Sequence, residues 1–224
     1  MIDISNVQVV GWEQAIRGMR NPMNSWDKSD TEYSPIANFA DIGFADYELM
    51  MKLRNAGTDH RKFMRMIVVY LDINAPLYWW KEFDTYKIGT VANSCSTMHT
   101  IHAKEFTMED FSCEQLVDRY GDPSMNLNYG YKYPKAVMQD LICILNHYLF
   151  WYNKTKDKKY WQQIIQLLPS SYNQKRTVML NYEVLANIYK SRRNHKLDEW
   201  REFCKLIETL PYSELITGER NNEN

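Results

Sequence analysis

The chain has 224 residues, of which 45% are hydrophobic and 25% are charged. These proportions are ordinary for a globular protein, so they exclude a disordered chain and a collagen-like repeat. Its 27 Lys and Arg side chains nearly balance its 28 Asp and Glu side chains, which excludes an overall positive field that would attract nucleic acid or an anionic membrane. We therefore expect neither partner, and any anionic ligand must be bound by a local pocket.

The N-terminal sequence lacks the basic segment and the apolar segment of a secretory signal peptide. The longest apolar runs, 67–71 and 141–145, are much shorter than the ~20 residues of a membrane span. The four cysteines form no Cys-x-x-Cys pair, which favours reduced thiols over a disulfide framework. Together these features predict a cytoplasmic protein.

In the N-terminal half, residues 1–38 are mixed and polar, and the Asn-Pro and Asp/Ser clusters within them are predicted to form loops and turns. Apolar residues at helical spacing predict a helix over 46–56, and Gly57 is suited to end it. The apolar, β-branched run from Met64 to Ile73 predicts a buried strand. Ala75-Pro76 should end this strand, since proline suits the first turn of a following helix.

In the C-terminal half, the clearest helical periodicity runs from Lys135 to Trp151. A second helix is predicted over 160–168, and a second strand over 171–181. Asn181 is a natural N-cap for the next helix, and Asp198 for the last one.

These elements predict an α+β fold with a small antiparallel sheet surrounded by helices. The sheet should contain Met64–Ile73 and Thr177–Leu180. With no repeat and no low-complexity linker, one domain is expected over residues 1–215. The polar residues 216–224 are expected to form a flexible tail.

Three possible metal ligands, Cys95, His99 and His102, lie close together in the sequence. A structural zinc site normally needs four Cys or His ligands, and no fourth ligand follows at a recognisable spacing. The pattern therefore favours a polar loop, and no metal site is expected. The glycine motifs of P-loop and Rossmann proteins do not occur either.

A cationic cluster follows the helix that starts after Asn181. It consists of Lys190, Arg192, Arg193, His195 and Lys196. Cations at the C-terminus of a helix are favoured by its dipole, which is a purely structural explanation. However, Asn181, Asn187 and Arg192 recur along this element, and amide and guanidinium groups can bind a pyrimidine, an isoalloxazine ring or a phosphate. The pattern leaves both explanations open.

The stretch from Leu168-Pro169 to Trp200 resembles the C-terminal signature of flavin-dependent thymidylate synthases, with Asn181, Asn187 and Arg192 at the family's spacing. Upstream, the segment that contains His60 and Ala75-Pro76 resembles the family's helix, histidine, strand, Ala-Pro and helix. The similar order and spacing extend over roughly residues 10–205.

This resemblance implies a methyltransferase that converts dUMP to dTMP in a homotetramer with sites between subunits. FAD would carry the hydride, NADPH would reduce the FAD, and methylenetetrahydrofolate would supply the one-carbon unit. By the same resemblance Arg192 would be catalytic, stabilising charge on the pyrimidine ring. The implied FAD-binding residues are His60, Lys87, Asn181 and Asn187. The implied substrate-binding residues are Thr90, Asn93, Cys95, Thr97, Arg192 and Arg193.

The chain departs from the family's diagnostic motif, Arg-His-Arg-x-x-Ser-x-Asn-Glu-x-Ser-x-Arg-Tyr, whose counterpart here is residues 85–98. Thr85 and Tyr86 replace arginine and histidine, and only Lys87 keeps a cation. Ile165 stands near the family arginine that precedes Leu-Pro. The loss of two phosphate-binding arginines would weaken binding by ~10²–10⁴-fold unless other cations compensate. The candidates are Arg17, Arg20, Lys81, Lys87 and Arg193.

Three functions therefore stay open. The first is the thymidylate synthase reaction, and the second is modification of another pyrimidine nucleotide by the same kind of enzyme. The third is a non-catalytic protein that binds a nucleotide or flavin. The retained register of Asn181, Asn187 and Arg192 favours the first.

Overall fold

The computed structural model describes residues 2–34, 39–118 and 132–218. The strands in this part of the chain are β1 (Asp3–Val10), β2 (Glu32–Ser34), β3 (Phe39–Asp41), β4 (Val68–Pro76), β5 (Val91–Ser94) and β6 (Asn173–Asn181). The helices are α1 (Trp12–Arg20), α2 (Phe44–Asn55), α3 (Leu77–Phe83), α4 (Thr97–Thr100), α5 (Pro134–Thr155), α6 (Lys158–Leu167), α7 (Tyr182–Arg192), α8 (Asp198–Glu208) and α9 (Glu214–Thr217).

The larger sheet has four strands in the order β1-β4-β6-β5. A separate pair is formed by β2 and β3, which run antiparallel with Tyr33 opposite Ala40. The predicted α+β fold, with a small antiparallel sheet and surrounding helices, is confirmed. None of the helices described is long and apolar enough to cross a membrane.

Contacts within the chain divide it into two compact units. The first, here called the helical unit, comprises Asn74–Glu82 and Ser94–Lys175. The second, here called the sheet unit, comprises Ile2–Ile73, Phe83–Asn93 and Arg176–Asn224. The single domain expected over 1–215 stays a prediction. Of the expected tail, Ile216 is buried in α9, and residues 219–224 lie outside the described part of the chain.

The helical unit is built around the α5–α6 hairpin. Its buried apolar cluster consists of Ile101, Phe106, Phe111, Met138, Ile142, Leu145, Leu149 and Ile164. Asn146 on α5 joins the preceding loop to this hairpin, because its side chain accepts from the backbone N–H of Phe106 at 2.8 Å and donates to the carbonyl of Phe106 at 2.9 Å. Ile165 packs against the same cluster, so it contributes apolar packing near the position where the family that the sequence resembles has an arginine.

In the sheet unit, α7 is the most deeply buried helix. Its buried residues are Tyr182, Glu183, Val184, Leu185, Ala186, Ile188 and Tyr189. The hydroxyl of Tyr182 donates to the carbonyl of Pro211 at 2.5 Å, and burial raises the pKa of this phenol, which keeps it protonated as a donor. At the other end of the helix, the hydroxyl of Tyr189 donates to the carboxylate of Glu208 at 2.7 Å.

The first turn of α7 carries a buried carboxylate, Glu183, which is 8% exposed. The guanidinium of Arg65 pairs with it, and Nε of Arg61 lies 3.6 Å from its Oε1. A negative charge is also favoured at this end of a helix by the helix dipole. The two arginines come from the 3₁₀ turn Arg61–Arg65, which this ion-pair network ties to the start of α7.

No helix or strand was predicted for residues 1–38, but this region contains β1, α1 and β2, with two short 3₁₀ turns at the predicted Asn-Pro and Asp/Ser clusters. The helical spacing of Trp12, Ala15, Ile16 and Met19 was a signal that the polar composition concealed, and all four are buried. The strand predicted from Met64 instead begins at Val68, since Arg61–Arg65 forms the 3₁₀ turn. That strand also includes Ala75 and Pro76, which were expected to end it.

A buried ion pair joins α1 to α2. Nε of Arg20 donates to Oδ1 of Asp46 at 2.6 Å, and the two side chains are 4% and 0% exposed. Ser29 and Thr31 donate to Oδ2 of the same carboxylate, each at 2.7 Å. Arg20 was a candidate for replacing the missing phosphate-binding cations, but this pairing makes it a structural residue.

We predict that Asp46→Asn lowers the free energy of unfolding by about 3–5 kcal/mol, because the buried Arg20 loses its counter-charge. Burial acts to raise the pKa of the Asp46 carboxyl, but hydrogen bonds from Thr31, Ser29 and Arg20 hold it below its ordinary value. Its contribution is therefore complete above the unfolded-state pKa of ~3.9 and is lost as the pH falls through the lower folded-state pKa. Denaturant titrations at pH 7 and at acid pH measure both effects.

Asp41→Asn is the matched control, since Asp41 is an exposed carboxylate on β3. It should leave the stability nearly unchanged. A loss for Asp46→Asn no larger than that of the control would contradict the importance of the buried pair.

Candidate functional site

Asn181 and Arg192 lie at the two ends of α7. An α-helix turns by about 100° and rises by about 1.5 Å per residue. The two residues are therefore about 16 Å apart along the helix axis but within about 20° of each other around it. Asn187 is turned away from both by roughly 120–140°. The three residues that the sequence singled out therefore cannot contact one pyrimidine ring together. Asn181 and Arg192 share a face, and Asn187 is exposed on another.

Asn181 performs the capping role that the sequence predicted. Its Oδ1 accepts from the backbone N–H of Val184 at 3.1 Å. This bond satisfies one of the N–H groups that every helix leaves unpaired in its first turn. The side-chain oxygen is thus committed to the helix, while its amide nitrogen faces a neighbouring loop.

That loop, Tyr86–Gly89, lies along the shared face of α7. The hydroxyl of Tyr86 accepts from Nε of Arg192 at 3.0 Å. At the other end, Gly89 has a φ of +79°, and a Cβ built on it would lie 2.8 Å from Nδ2 of Asn181. The loop therefore touches both ends of the helix and needs glycine where it meets Asn181.

Arg192 is held between two aromatic rings. Its guanidinium carbon lies 4.7 Å from the ring centroid of Trp200 and 5.8 Å from that of Tyr86. Trp200 is 0% exposed and meets Tyr86 edge to face, so the stack is anchored in the core. Cation–π contacts of this kind contribute about 0.5–2 kcal/mol each. Arg192 therefore has structural contacts, which also fix the direction of its guanidinium.

A cleft of about 390 Å³ adjoins the loop. Its lining residues are Phe83, Asp84, Tyr86, Lys87, Thr90, Ala92 and Arg176. Two are cations, Lys87 and Arg176, and the second pairs with Asp84 at 2.7 Å. The hydroxyl of Thr90 is buried and has no hydrogen-bond partner within the described residues. The cleft thus combines a net positive charge with an unsatisfied hydroxyl.

Of the predicted site residues, Lys87 and Thr90 line this cleft, and Tyr86 connects it to Arg192. Asn93 is exposed on β5, and Arg193 is exposed with its guanidinium 6.0 Å from the ring of Tyr189.

Two other predicted site residues, Cys95 and Thr97, belong to the helical unit, where Cys95 is exposed. His60 lines a different cavity of about 520 Å³ in the sheet unit, whose apolar lining includes Phe63 and Met66. Among the predicted residues that belong to the sheet unit, the structure therefore brings together only a part.

Arg176 is the residue that sequence reasoning missed. It lies on β6, where Gln174, Val178 and Leu180 alternate as buried positions, and its side chain is only 14% exposed. A cation on the buried face of a predicted strand is unusual and could have been recognised from the alternation.

No group of three or more His, Cys, Asp or Glu side chains is placed to hold a metal ion in the described ranges.

No protein-family model matches the sequence, and no curated protein matches it. Solved structures do match. A flavin-dependent thymidylate synthase, ThyX from Helicobacter pylori, complexed with FAD and dUMP, has a TM-score of 0.65 at 17% identity, over 96% of this chain and 99% of that chain. The chain has the fold of the flavin-dependent thymidylate synthases.

Two further structures agree with this fold. Another ThyX structure from Helicobacter pylori, also with FAD and dUMP, has a TM-score of 0.66 at 16% identity over 97% of this chain and 98% of that one. The UMP/dUMP methylase PolB from Streptomyces cacaoi, bound with 5-Br UMP, has a TM-score of 0.55 at 14% identity. The match covers 93% of this chain and 88% of that one. The ThyX-like fold implied by the sequence resemblance is confirmed.

The contact between Gly89 and Asn181 can be tested by substitution. Gly89→Ala should lower the free energy of unfolding by at least about 1 kcal/mol more than Gly57→Ala does. Both glycines have positive φ, but a Cβ on Gly57 would meet nothing within 4 Å, whereas one on Gly89 would meet the Asn181 side chain. Denaturant unfolding of the two variants measures the difference. Equal losses would show that the loop does not depend on this contact.

Proposed function

We propose that the protein is a ThyX-like enzyme that methylates dUMP to dTMP. The observation that supports this most directly is the placement of Arg192 beside a positively charged cleft, both contacting the loop Tyr86–Lys87. A pyrimidine nucleotide has a polar ring and a phosphate, and these need a guanidinium and a cationic pocket close to each other. The fold, shared over nearly the whole chain with ThyX structures complexed with FAD and dUMP, supports the same substrate.

The cleft is suited to the phosphate part of such a ligand. Its volume of about 390 Å³ lies within the ~300–1,000 Å³ range of small-molecule sites. Lys87 and Arg176 provide positive charge, and the buried hydroxyl of Thr90 is a donor in need of an acceptor. Arg192, fixed by Tyr86 and Trp200, would then stabilise negative charge on a ring oxygen without reorganising first.

FAD, NADPH and methylenetetrahydrofolate are proposed as cofactor and co-substrates on the strength of the fold. Lys87 on the loop and the Asn181 amide beside it fit the phosphate and polar parts of a flavin nucleotide. His60 lines another cavity, and Asn187 faces another side of α7. One chain thus supplies part of a flavin site, and we propose that a second copy in a homotetramer completes it. Bound flavin would supply hydride-transfer chemistry.

A second candidate is modification of a different pyrimidine nucleotide. The motif segment 85–98 retains one cation, and Tyr86 occupies a position where the related family has histidine. The structural neighbour PolB is a methylase of both UMP and dUMP, so this fold is compatible with either sugar. Titrating dUMP, UMP and deoxyuridine against the purified protein, whose bound flavin would give an absorption band near ~450 nm, distinguishes these functions. Equal affinity for dUMP and deoxyuridine would exclude a nucleotide-specific enzyme.

Lys87→Ala should weaken dUMP binding by at least ~1.5 kcal/mol, or about tenfold, because one charge-assisted contact to the phosphate is lost. Deoxyuridine, which has no phosphate, should bind the variant and the wild type alike. The wild-type affinity for dUMP should also fall with rising salt, since Lys87 is exposed and its charge is screened. Lys52→Ala, on the exposed side of α2, removes the same charge away from the cleft and should change neither affinity. An unchanged dUMP affinity in Lys87→Ala would argue for a neutral ligand.

Arg192→Lys should weaken binding of both dUMP and deoxyuridine by at least about tenfold, because an ammonium lacks the planar fork of a guanidinium. The charge is retained, so the melting temperature should change by only a few degrees. Arg201→Lys on α8, whose guanidinium pairs with Asp198, is the control and should leave both affinities intact. A large loss of stability with unchanged binding would instead assign Arg192 to the aromatic stack alone.

A further inference from the structure

The less exposed of the two cations in the cleft, Arg176, is already part of an ion pair. Nη1 of Arg176 lies 2.7 Å from Oδ1 of Asp84, and the two side chains are 14% and 51% exposed. Arg176 projects from the central part of β6, whereas Asp84 follows the last residue of α3 and is half in solvent. The cation is therefore held by the sheet, and its anionic partner has water on one side.

A carboxylate and a phosphate monoester are bound by a guanidinium through the same planar geometry. A half-exposed ion pair stabilises a protein only slightly, because water solvates both charges when they separate. Asp84 can therefore be exchanged for another anion at little expense to the fold. A phosphate monoester has the advantage in this exchange, since it carries up to two negative charges near neutral pH.

The unsatisfied hydroxyl of Thr90 is a second, independent feature of the same cleft. Buried polar groups nearly always have a hydrogen-bond partner, and a native exception calls for an explanation. Thr90 lines the cleft, but its hydroxyl is closed to solvent in this structure, so the side chain must rotate about χ1 before it can donate to an acceptor oxygen beside Arg176 and Lys87. The exposed side chain of Lys87 would add a second positive charge.

We propose that Arg176, Lys87 and Thr90 form a phosphate subsite in which Asp84 is an internal competitor of the ligand. The incoming phosphate monoester takes Arg176, and the Asp84 carboxylate turns to solvent. This inference rests on the proposed function for the identity of the nucleotide, but not for the presence of the subsite. In this subsite Arg176, which lies outside residues 85–98, supplies a cation that the motif segment itself no longer provides.

The subsite should discriminate by charge. Because only a more highly charged anion displaces Asp84, a nucleoside 5′-monophosphate should bind better than the corresponding nucleoside. Binding should strengthen as the pH rises through the second phosphate pKa of about 6, where the ligand gains its second charge.

The test is to remove the competitor and the cation separately in the full chain. Asp84→Asn should bind dUMP about two- to fivefold more tightly than the wild type, the equilibrium equivalent of a half-exposed ion pair, with no change for deoxyuridine. Arg176→Gln should weaken dUMP binding at least about tenfold. In the double variant, Asp84→Asn should no longer have an effect. Asp41→Asn controls for the general loss of one negative charge.

Isothermal titration calorimetry at constant ionic strength measures these affinities, with thermal unfolding as a check on folding. If Arg176→Gln does not fold, Arg176→Lys is used instead, because it keeps the charge. It should weaken dUMP binding by less than the tenfold expected for Arg176→Gln, and it should reduce the gain in dUMP affinity that Asp84→Asn produces. Unchanged or weaker dUMP binding in Asp84→Asn, with the wild type binding dUMP, would overturn the competitor role of Asp84.

Inorganic phosphate separates this inference from the proposed function. If the wild type binds no dUMP, the proposed function fails, and phosphate then probes the subsite alone. Phosphate binding that is strengthened by Asp84→Asn and lost in Arg176→Gln supports the subsite, and phosphate binding that neither substitution changes overturns it.

Discussion

The buried carboxylate of Glu183 and the apolar residues around it on α7 fix the rotation of this helix, and the candidate site depends on that rotation. Arg61 and Arg65 neutralise this carboxylate from one side, and leaving it unpaired in the interior would cost several kcal/mol. A helix turned by even one residue would separate the charges. With its rotation fixed, α7 presents the side chains of Asn181 and Arg192 to the same loop.

The cationic cleft shows how positive charge can be redistributed within a fold. The diagnostic motif of the family that the sequence resembles contains arginines, whereas residues 85–98 here retain Lys87, and Arg176 lies on a strand. A guanidinium on a strand is positioned by hydrogen-bonded backbone on both sides, while a lysine on a loop is not. The cleft therefore carries a net positive charge although residues 85–98 retain one cation.

The sequence predicted what depends on one helix and missed what depends on pairing between distant segments. The relation of Asn181 to Arg192 is fixed by helical geometry, so their spacing was informative. The position of Arg176 beside Asp84 depends on the register of β6 against residues about ninety positions earlier, which no local pattern encodes. The strand β1 was missed for a related reason, since it is an edge strand with mostly exposed residues and therefore lacks apolar alternation.

The contact between Tyr86 and Arg192 joins residues that are 106 positions apart, and this separation bears on how the protein matures. Long-range contacts form late in folding because a large loop must close first. During synthesis, the N-terminal strands leave the ribosome well before α7 and Trp200 are available. A nascent chain can therefore pair β1 with β4 early, whereas β5 must wait for β6, which immediately precedes α7. The candidate site is complete only after nearly the whole polypeptide has been released.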